Sequence, residues 1–235
     1  MSSLITDDLF TTPSENSVKR KPGEFKLIAP DAAVELEFDA SKLKSKRFAK
    51  ISWDVFDLIE TGKVFLAGGA LRTLIDPDDE VCDYDLYFKN LDDVDLIKNI
   101  LEEDKQYNLY YQCPEGKLFC YITSDDCGNS TKIQLICEKA FENPANCIRE
   151  FDFGACAAAY DGEKVYCFDM FVNNVRSKII TLLSLPYPLA TFKRAAKYAA
   201  KGYNIGYFAE QYIWEVMSMT PRDLVEGNGM RRYID

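Results

Sequence analysis

The chain has 235 residues, 47% of them hydrophobic, with 28 Lys and Arg against 38 Asp and Glu for a formal net charge of −10. That is enough for one sizeable core with a small appendage, and the negative charge argues against a general nucleic-acid coat. No histidine occurs, which excludes Ser-His and Cys-His nucleophiles, imidazole bases and histidine-held metals and leaves carboxylates and hard cations as the available chemistry.

In chain order, residues 1–23 are polar and read as a mobile tail. Short apolar runs at Leu27–Ile28 and Val34–Phe38 suggest one or two strands. Apolar residues at 48, 51, 55, 56, 58 and 59 predict a helix that Thr61-Gly62 ends. Val64–Ala67 is a strand, Gly69–Ile75 a short helix, Asp76–Asp79 a turn, and Val81–Phe88 a second strand. Asp92–Glu103 is an amphipathic helix that Asp92 and Asp93 are placed to cap. Strands follow at Asn108–Tyr111, Phe119–Thr123 and Lys132–Cys137, the last two forming a hairpin through the turn at Asp125–Ser130. Phe151–Tyr160 and Lys164–Phe168 flank Asp161-Gly162-Glu163 as a further hairpin. Ala190–Lys201 is a helix stopped by Gly202, and Phe208–Ser218 a final one. The expected fold is α/β (α+β), a mixed sheet with flanking helices and a short helical end. Its expected divisions are a tail at 1–23, a head at 24–173 and a helical segment at 174–235.

The eight cysteines form no CxxC pair, and Cys113, Cys120 and Cys127 are spaced by seven. Structural zinc sites use tighter pairs, so reduced, buried thiols in a cytoplasmic protein are expected. No apolar run is long enough for a membrane span, and the N-terminus lacks a secretory signal pattern. Charge is uneven. Asn173–Ala209 holds no acid but carries Arg176, Lys178, Lys193, Arg194, Lys197 and Lys201, a local +6 that leaves −16 on the rest. A second basic cluster is Lys42, Lys44, Lys46, Arg47 and Lys50. Such a segment suits a phosphate-bearing ligand, or forms a solvated face.

The most informative stretch is Val64-Phe-Leu-Ala-Gly-Gly-Ala-Leu-Arg72, with Asp83-Tyr84-Asp85 starting eleven positions after Arg72. Strand side chains at i and i+2 share a face, so Asp83 and Asp85 point together. Paired carboxylates repel unless a cation lies between them, and Mg²⁺ is the usual one. Gly68 and Gly69 let a phosphate approach backbone amides, and Arg72 stands ready to neutralise its charge.

Gly68-Gly69-Ala70-Leu71-Arg72 followed by Asp83-Tyr84-Asp85 resembles the GGxxRD…DxD signature of polymerase-beta-like nucleotidyltransferases, in particular the head domain of bacterial poly(A) polymerases and tRNA CCA-adding enzymes. Phe151-Asp152-Phe153-Gly154-Ala155-Cys156-Ala157 with Tyr160-Asp161-Gly162-Glu163 resembles their RRDFTxNAxAYDGE block, and Thr191–Tyr203 is placed like their neck helix. The likeness covers roughly residues 50–205 and extends to small stand-alone forms in bacteriophages. Three positions depart from it. Thr73 stands where the first motif has an acid, Glu150 and Phe151 replace the arginines before Asp152, and Ala190 and Thr191 accompany Arg194 where base-reading acids would be expected. The catalytic head therefore carries over, the CCA specificity does not, and no tRNA-binding body is expected.

The resemblance implies transfer of a nucleotidyl group from an NTP such as ATP to an acceptor hydroxyl. Asp83 and Asp85 would hold two Mg²⁺ ions, and Asp152 would either complete a carboxylate triad or touch the ribose. Gly68, Gly69 and Arg72 would bind the triphosphate. Lys193, Arg194 and Lys197 would meet base, triphosphate or acceptor strand. The expected acceptor is an RNA or tRNA 3′ end, with a protein or small molecule as the enzymatic alternative and an inactive binding or assembly module as the non-enzymatic one. The expected compartment is the cytoplasm, of the host if the source is viral.

Overall fold

A computed structural model describes residues 34–36, 52–124, 130–185 and 187–219. The tail over 1–23, the cluster at Lys42–Lys50, the loop at 125–129 and the segment after 219 lie outside the described residues.

Among the described residues eight strands form one mixed sheet in the order β1-β8-β7-β2-β3-β6-β5-β4. They are β1 (Val34–Leu36), β2 (Val64–Ala67), β3 (Tyr84–Phe88), β4 (Asn108–Gln112), β5 (Leu118–Ser124), β6 (Ser130–Ile136), β7 (Ala158–Tyr160) and β8 (Val165–Cys167). Only β3 and β6 run parallel; every other pairing in this sheet is antiparallel. The expected hairpins are both present, β5 with β6 and β7 with β8. A separate two-stranded parallel pair joins β9 (Ile179–Ile180) to β10 (Asn204–Ile205).

Period-two alternation sorts the strand side chains onto two faces. Val64, Leu66, Tyr84, Leu86, Phe88, Ile133 and Leu135 enter one core. That core also takes Val55, Phe56, Leu58 and Ile59 of helix α1 (Trp53–Glu60) and Phe171 and Val175 of helix α4 (Asp169–Ser177). Phe65, Ala67, Tyr87, Ile136 and Ala159 enter the other core, capped by Cys147 and Ile148 of α3 (Pro144–Ile148). Asn143 starts α3 by accepting from the Ala145 N–H at 2.8 Å, with Pro144 behind it. Tyr121, Tyr160, Phe65, Phe88, Phe153 and Phe171 are fully buried. Each contributes about 1.5–3 kcal/mol of apolar transfer.

Several boundaries differ from the sequence expectation. The first helix is described only from Trp53. Gly69–Leu74 is a 3-10 helix. Residues 91–104 break into a 3-10 turn, α2 (Val94–Asn99) and a π segment, and Asn90 rather than either aspartate caps the start, accepting from the Asp92 N–H. Residues 151–157 are not strand. A 3-10 turn at Gly154–Cys156 interrupts the run, because Gly154 packs under α4, where an added Cβ would lie 2.7 Å from Asn174 Oδ1.

Two further helices, α5 (Pro188–Ala200) and α6 (Tyr207–Met219), pack with β9 around a third core of Phe153, Ile180, Leu182, Ala195, Tyr198, Tyr203 and Ile213. Helix α4 runs unbroken across the expected boundary at 173/174, so the change in charge there is not a break in the backbone. Among the described residues no helix is long and apolar enough to cross a membrane.

Candidate nucleotidyl-transfer site

Strand β2 is buried throughout and ends at Gly68, whose φ of +94° favours glycine. An added Cβ there would come within 3.3 Å of Asp85 Oδ2. The glycine thus lets the β2 turn close against the carboxylate of the neighbouring strand, where Ala67 pairs with Asp85. The Gly68 N–H donates to the Ala158 carbonyl at 2.9 Å. Gly69 stands at the first position of the 3-10 helix, and a Cβ on it would lie 2.7 Å from an Arg72 guanidinium nitrogen.

Asp83 stands just before β3 and Asp85 within it, both half-buried. Tyr84 and Leu86 point into the first core and Tyr87 into the second, so Asp83 and Asp85 share the second face. Gln134, 2% exposed on β6, donates through Nε2 to Asp83 Oδ2 at 3.2 Å. The signal for this glutamine in the sequence is that it stands between the apolar residues Ile133 and Leu135, in the half of the strand that is otherwise apolar. Two carboxylates on one face, with a buried amide beside them and a glycine turn against one of them, are an oxygen donor set that fits a hard divalent cation. Among the described residues no group of three acidic or cysteine side chains is placed to hold a metal, so Asp152 does not join this pair.

Asp152 lies in the loop before the 3-10 turn and is 5% exposed. Its carboxylate accepts from Arg194 Nε at 2.8 Å and Thr191 Oγ1 at 2.9 Å, with Arg194 Nη2 in a second close contact. Its carbonyl accepts from the Leu183 N–H at 2.6 Å. Arg194 therefore turns inward to this loop. Lys193 and Lys197, four positions apart, are both exposed on the outer side of α5, so the structure does not place the three cations on one surface. A single step along a helix turns a side chain by about 100°.

Arg72 is 5% exposed. It donates through Nε to Asp79 Oδ2 at 2.6 Å and through Nη1 to Tyr198 Oη at 2.8 Å, and Asp79 is itself buried. Burial works against the guanidinium charge, but Tyr198 and Asp79 outweigh it and keep it firmly protonated. Two lysines bind the same loop. Lys178 Nζ lies 2.6 Å from Asp76 Oδ2, and Lys201 Nζ donates to the Glu80 carbonyl at 3.1 Å. The segment leading to Asp83 is thus stapled from behind by cations of the acid-free region. Lys178, Arg194 and Lys201 lie against the carboxylates of Asp76, Asp152 and Asp79, so three of the six cations of the acid-free region face acids of the head.

The fold is similar to that of solved CCA-adding enzymes. A CCA-adding enzyme in complex with ATP matches with a TM-score of 0.54 at 13% identity, over 77% of this chain and 46% of that one. Apo form I matches at 0.53 and 14%, over 77% and 46%. Apo form II matches at 0.52 and 14%, over 77% and 47%. At this identity the likeness establishes a nucleotidyltransferase-like fold, and the chain spans about half the length of these structures. No curated protein matches the sequence. A family model described as "Gabija anti-defense 2 family protein" matches residues 39–178, more than half of the chain. On that match this chain belongs to the Gabija anti-defense 2 family.

Proposed function

We propose that the protein is a Mg²⁺-dependent nucleotidyltransferase that moves NMP from an NTP to an acceptor hydroxyl and releases pyrophosphate. The observation that carries this reading is the carboxylate pair Asp83 and Asp85 on one sheet face, closed against the Gly68 turn, in a fold shared with a CCA-adding enzyme solved with ATP. Asp83 and Asp85 would hold Mg²⁺, which when bound acidifies a hydroxyl and neutralises triphosphate charge. Gly68 lets the β2 turn close against Asp85, and Gly69 lets the Arg72 guanidinium pack against the same turn. Gln134 orients Asp83 through its amide. Arg72 and Arg194 serve from behind, holding Asp79 and Asp152, while Lys193 and Lys197 offer outward charge to an anionic acceptor. An RNA 3′ end is the first acceptor to test, and the family description makes counter-defence the setting in which the transfer would act.

A second reading, a head retained as a binding module, is favoured by one observation. Arg72 and Asp152, which the family resemblance puts at the substrate, are both engaged in internal pairs. The separating experiment supplies Mg²⁺, each α-labelled NTP, and RNA, protein and small-molecule fractions in turn. Label entering RNA is the expected result. Label in protein or small molecules keeps the enzyme and changes the acceptor. No transfer to any fraction, with no Mg²⁺-dependent NTP binding, leaves the binding module.

Cys82 provides a chemical reporter beside Asp83. It is exposed, whereas Cys147 and Cys167 are buried. Burial raises both buried thiols, with Glu150 adding at Cys147 and Asp169 at Cys167, the latter reaching about 12. Alkylation at pH 8, read by peptide mass, is expected to be far faster at Cys82 than at these two. Mg²⁺ with ATP should slow it at Cys82. Equal rates with and without Mg²⁺–ATP would count against nucleotide binding at this edge of the sheet.

A further inference from the structure

Strand β6 flanks the carboxylate pair on the side away from the glycines. Tyr84 pairs with Ile133 and Asp85 with Gln134 in parallel register, so one step earlier Lys132 stands beside Asp83. Ile133 and Leu135 point into the first core and Ile136 into the second. Alternation therefore sends Lys132 and Gln134 to the face of Asp83 and Asp85. The Gln134–Asp83 hydrogen bond shows that side chains on this face of β6 reach the pair. Cys120 faces Gln134 from β5. Its buried thiol is raised by burial, lowered by Lys132 and raised by Asp83 and Asp85, which places one ammonium and two carboxylates in one neighbourhood.

A second Mg²⁺ needs oxygen ligands of its own, preferably anionic. No third acid joins the pair among the described residues. The neighbouring strand presents an amide and an ammonium there instead. A dication beside Lys132 would repel the ammonium twice as strongly as a univalent ion, so the ammonium and a second dication compete for the same place next to Asp83 and Asp85.

We propose that this site takes one divalent cation, held by Asp83 and Asp85, and that Lys132 supplies the second positive charge from the β6 side. The two ions implied by the family resemblance are thereby revised to one. This rests on the nucleotidyltransferase reading.

The test counts Mn²⁺ by electron paramagnetic resonance on the full chain, saturated with an ATP analogue that cannot be cleaved between Pα and Pβ. One bound Mn²⁺ is expected for the wild type. Lys132→Glu, which removes the ammonium and adds a carboxylate, is expected to bind two, and Asp83→Asn/Asp85→Asn none at the same concentrations. Two ions on the wild type overturn the inference without any variant, and so does an unchanged count in folded Lys132→Glu. If the wild type binds two ions and still transfers label, only this inference fails. If it binds neither Mn²⁺ nor nucleotide, the nucleotidyltransferase reading fails with it.

Discussion

Changing Asp83 and Asp85 together to asparagine is expected to lower nucleotidyl transfer by at least about 10³-fold while the protein still folds. A bound divalent cation supplies several kcal/mol of charge stabilisation to the transition state, and about 4 kcal/mol corresponds to about 10³ in rate. Asparagine keeps the shape and removes the charges that hold the ion. At position 83 its carbonyl still accepts from Gln134, which donates to the aspartate at 3.2 Å in the wild type. At position 85 it keeps the volume lying against Gly68. Both side chains are half-buried, and removing two like charges from adjacent positions relieves repulsion. Thermal melts of variant and wild type should therefore lie close together while initial rates separate widely. A rate within about tenfold of wild type would remove this pair from the chemistry.

Replacing Arg72 with alanine is expected to destabilise the fold by about 3–5 kcal/mol, the range for removing one partner of a buried pair. Asp79 would remain buried without the guanidinium 2.6 Å away. Tyr198, also buried, would lose its partner at 2.8 Å and the cation 5.0 Å from its ring centroid. At about 2–4 °C per kcal/mol for a chain of this size, the midpoint should fall by about 10 °C. Arg72→Met combined with Asp79→Leu should recover part of the loss, because no unpaired charge is left buried. The effect spreads to the site, since Asp79 lies in the loop that leads to Asp83 and that Lys178 and Lys201 also hold. A midpoint unchanged within 2 °C in Arg72→Ala would show that this hub does not hold α5 to the head.

The parts of this molecule legible in the sequence are those set by local period. Val64–Ala67 followed by two glycines reads as strand and turn, and Asp83-x-Asp85 reads as one face, because both depend on neighbours two positions apart. The β5–β6 pairing followed from two apolar runs about a turn, and Gly202 was recognisable as the end of α5, where its φ is +81°. What stayed hidden depends on distant partners. Arg72 meets Tyr198 across 126 positions and Arg194 meets Asp152 across 42, so neither arginine could be told from a phosphate ligand by spacing. The stretch 151–157 reads as strand because it is apolar, but Gly154 packs against Asn174 of α4 and donates to the Thr181 carbonyl, and Asn174 itself bonds Thr181 on both backbone and side chain. Lys132 and Gln134 escaped notice because their meaning lies in the β3–β6 register, which joins residues 49 positions apart.

The measurement that tests the proposed function most directly follows the position of the label in ATP. Purified protein is given Mg²⁺, the acceptor fraction and ATP labelled at either the α or the γ phosphate, beside the Asp83→Asn/Asp85→Asn variant. Nucleotidyl transfer predicts that α label enters the acceptor, that γ label leaves as pyrophosphate, and that both events require Mg²⁺ and vanish in the variant. Entry of γ label into the acceptor, or equal transfer by the variant, would contradict it.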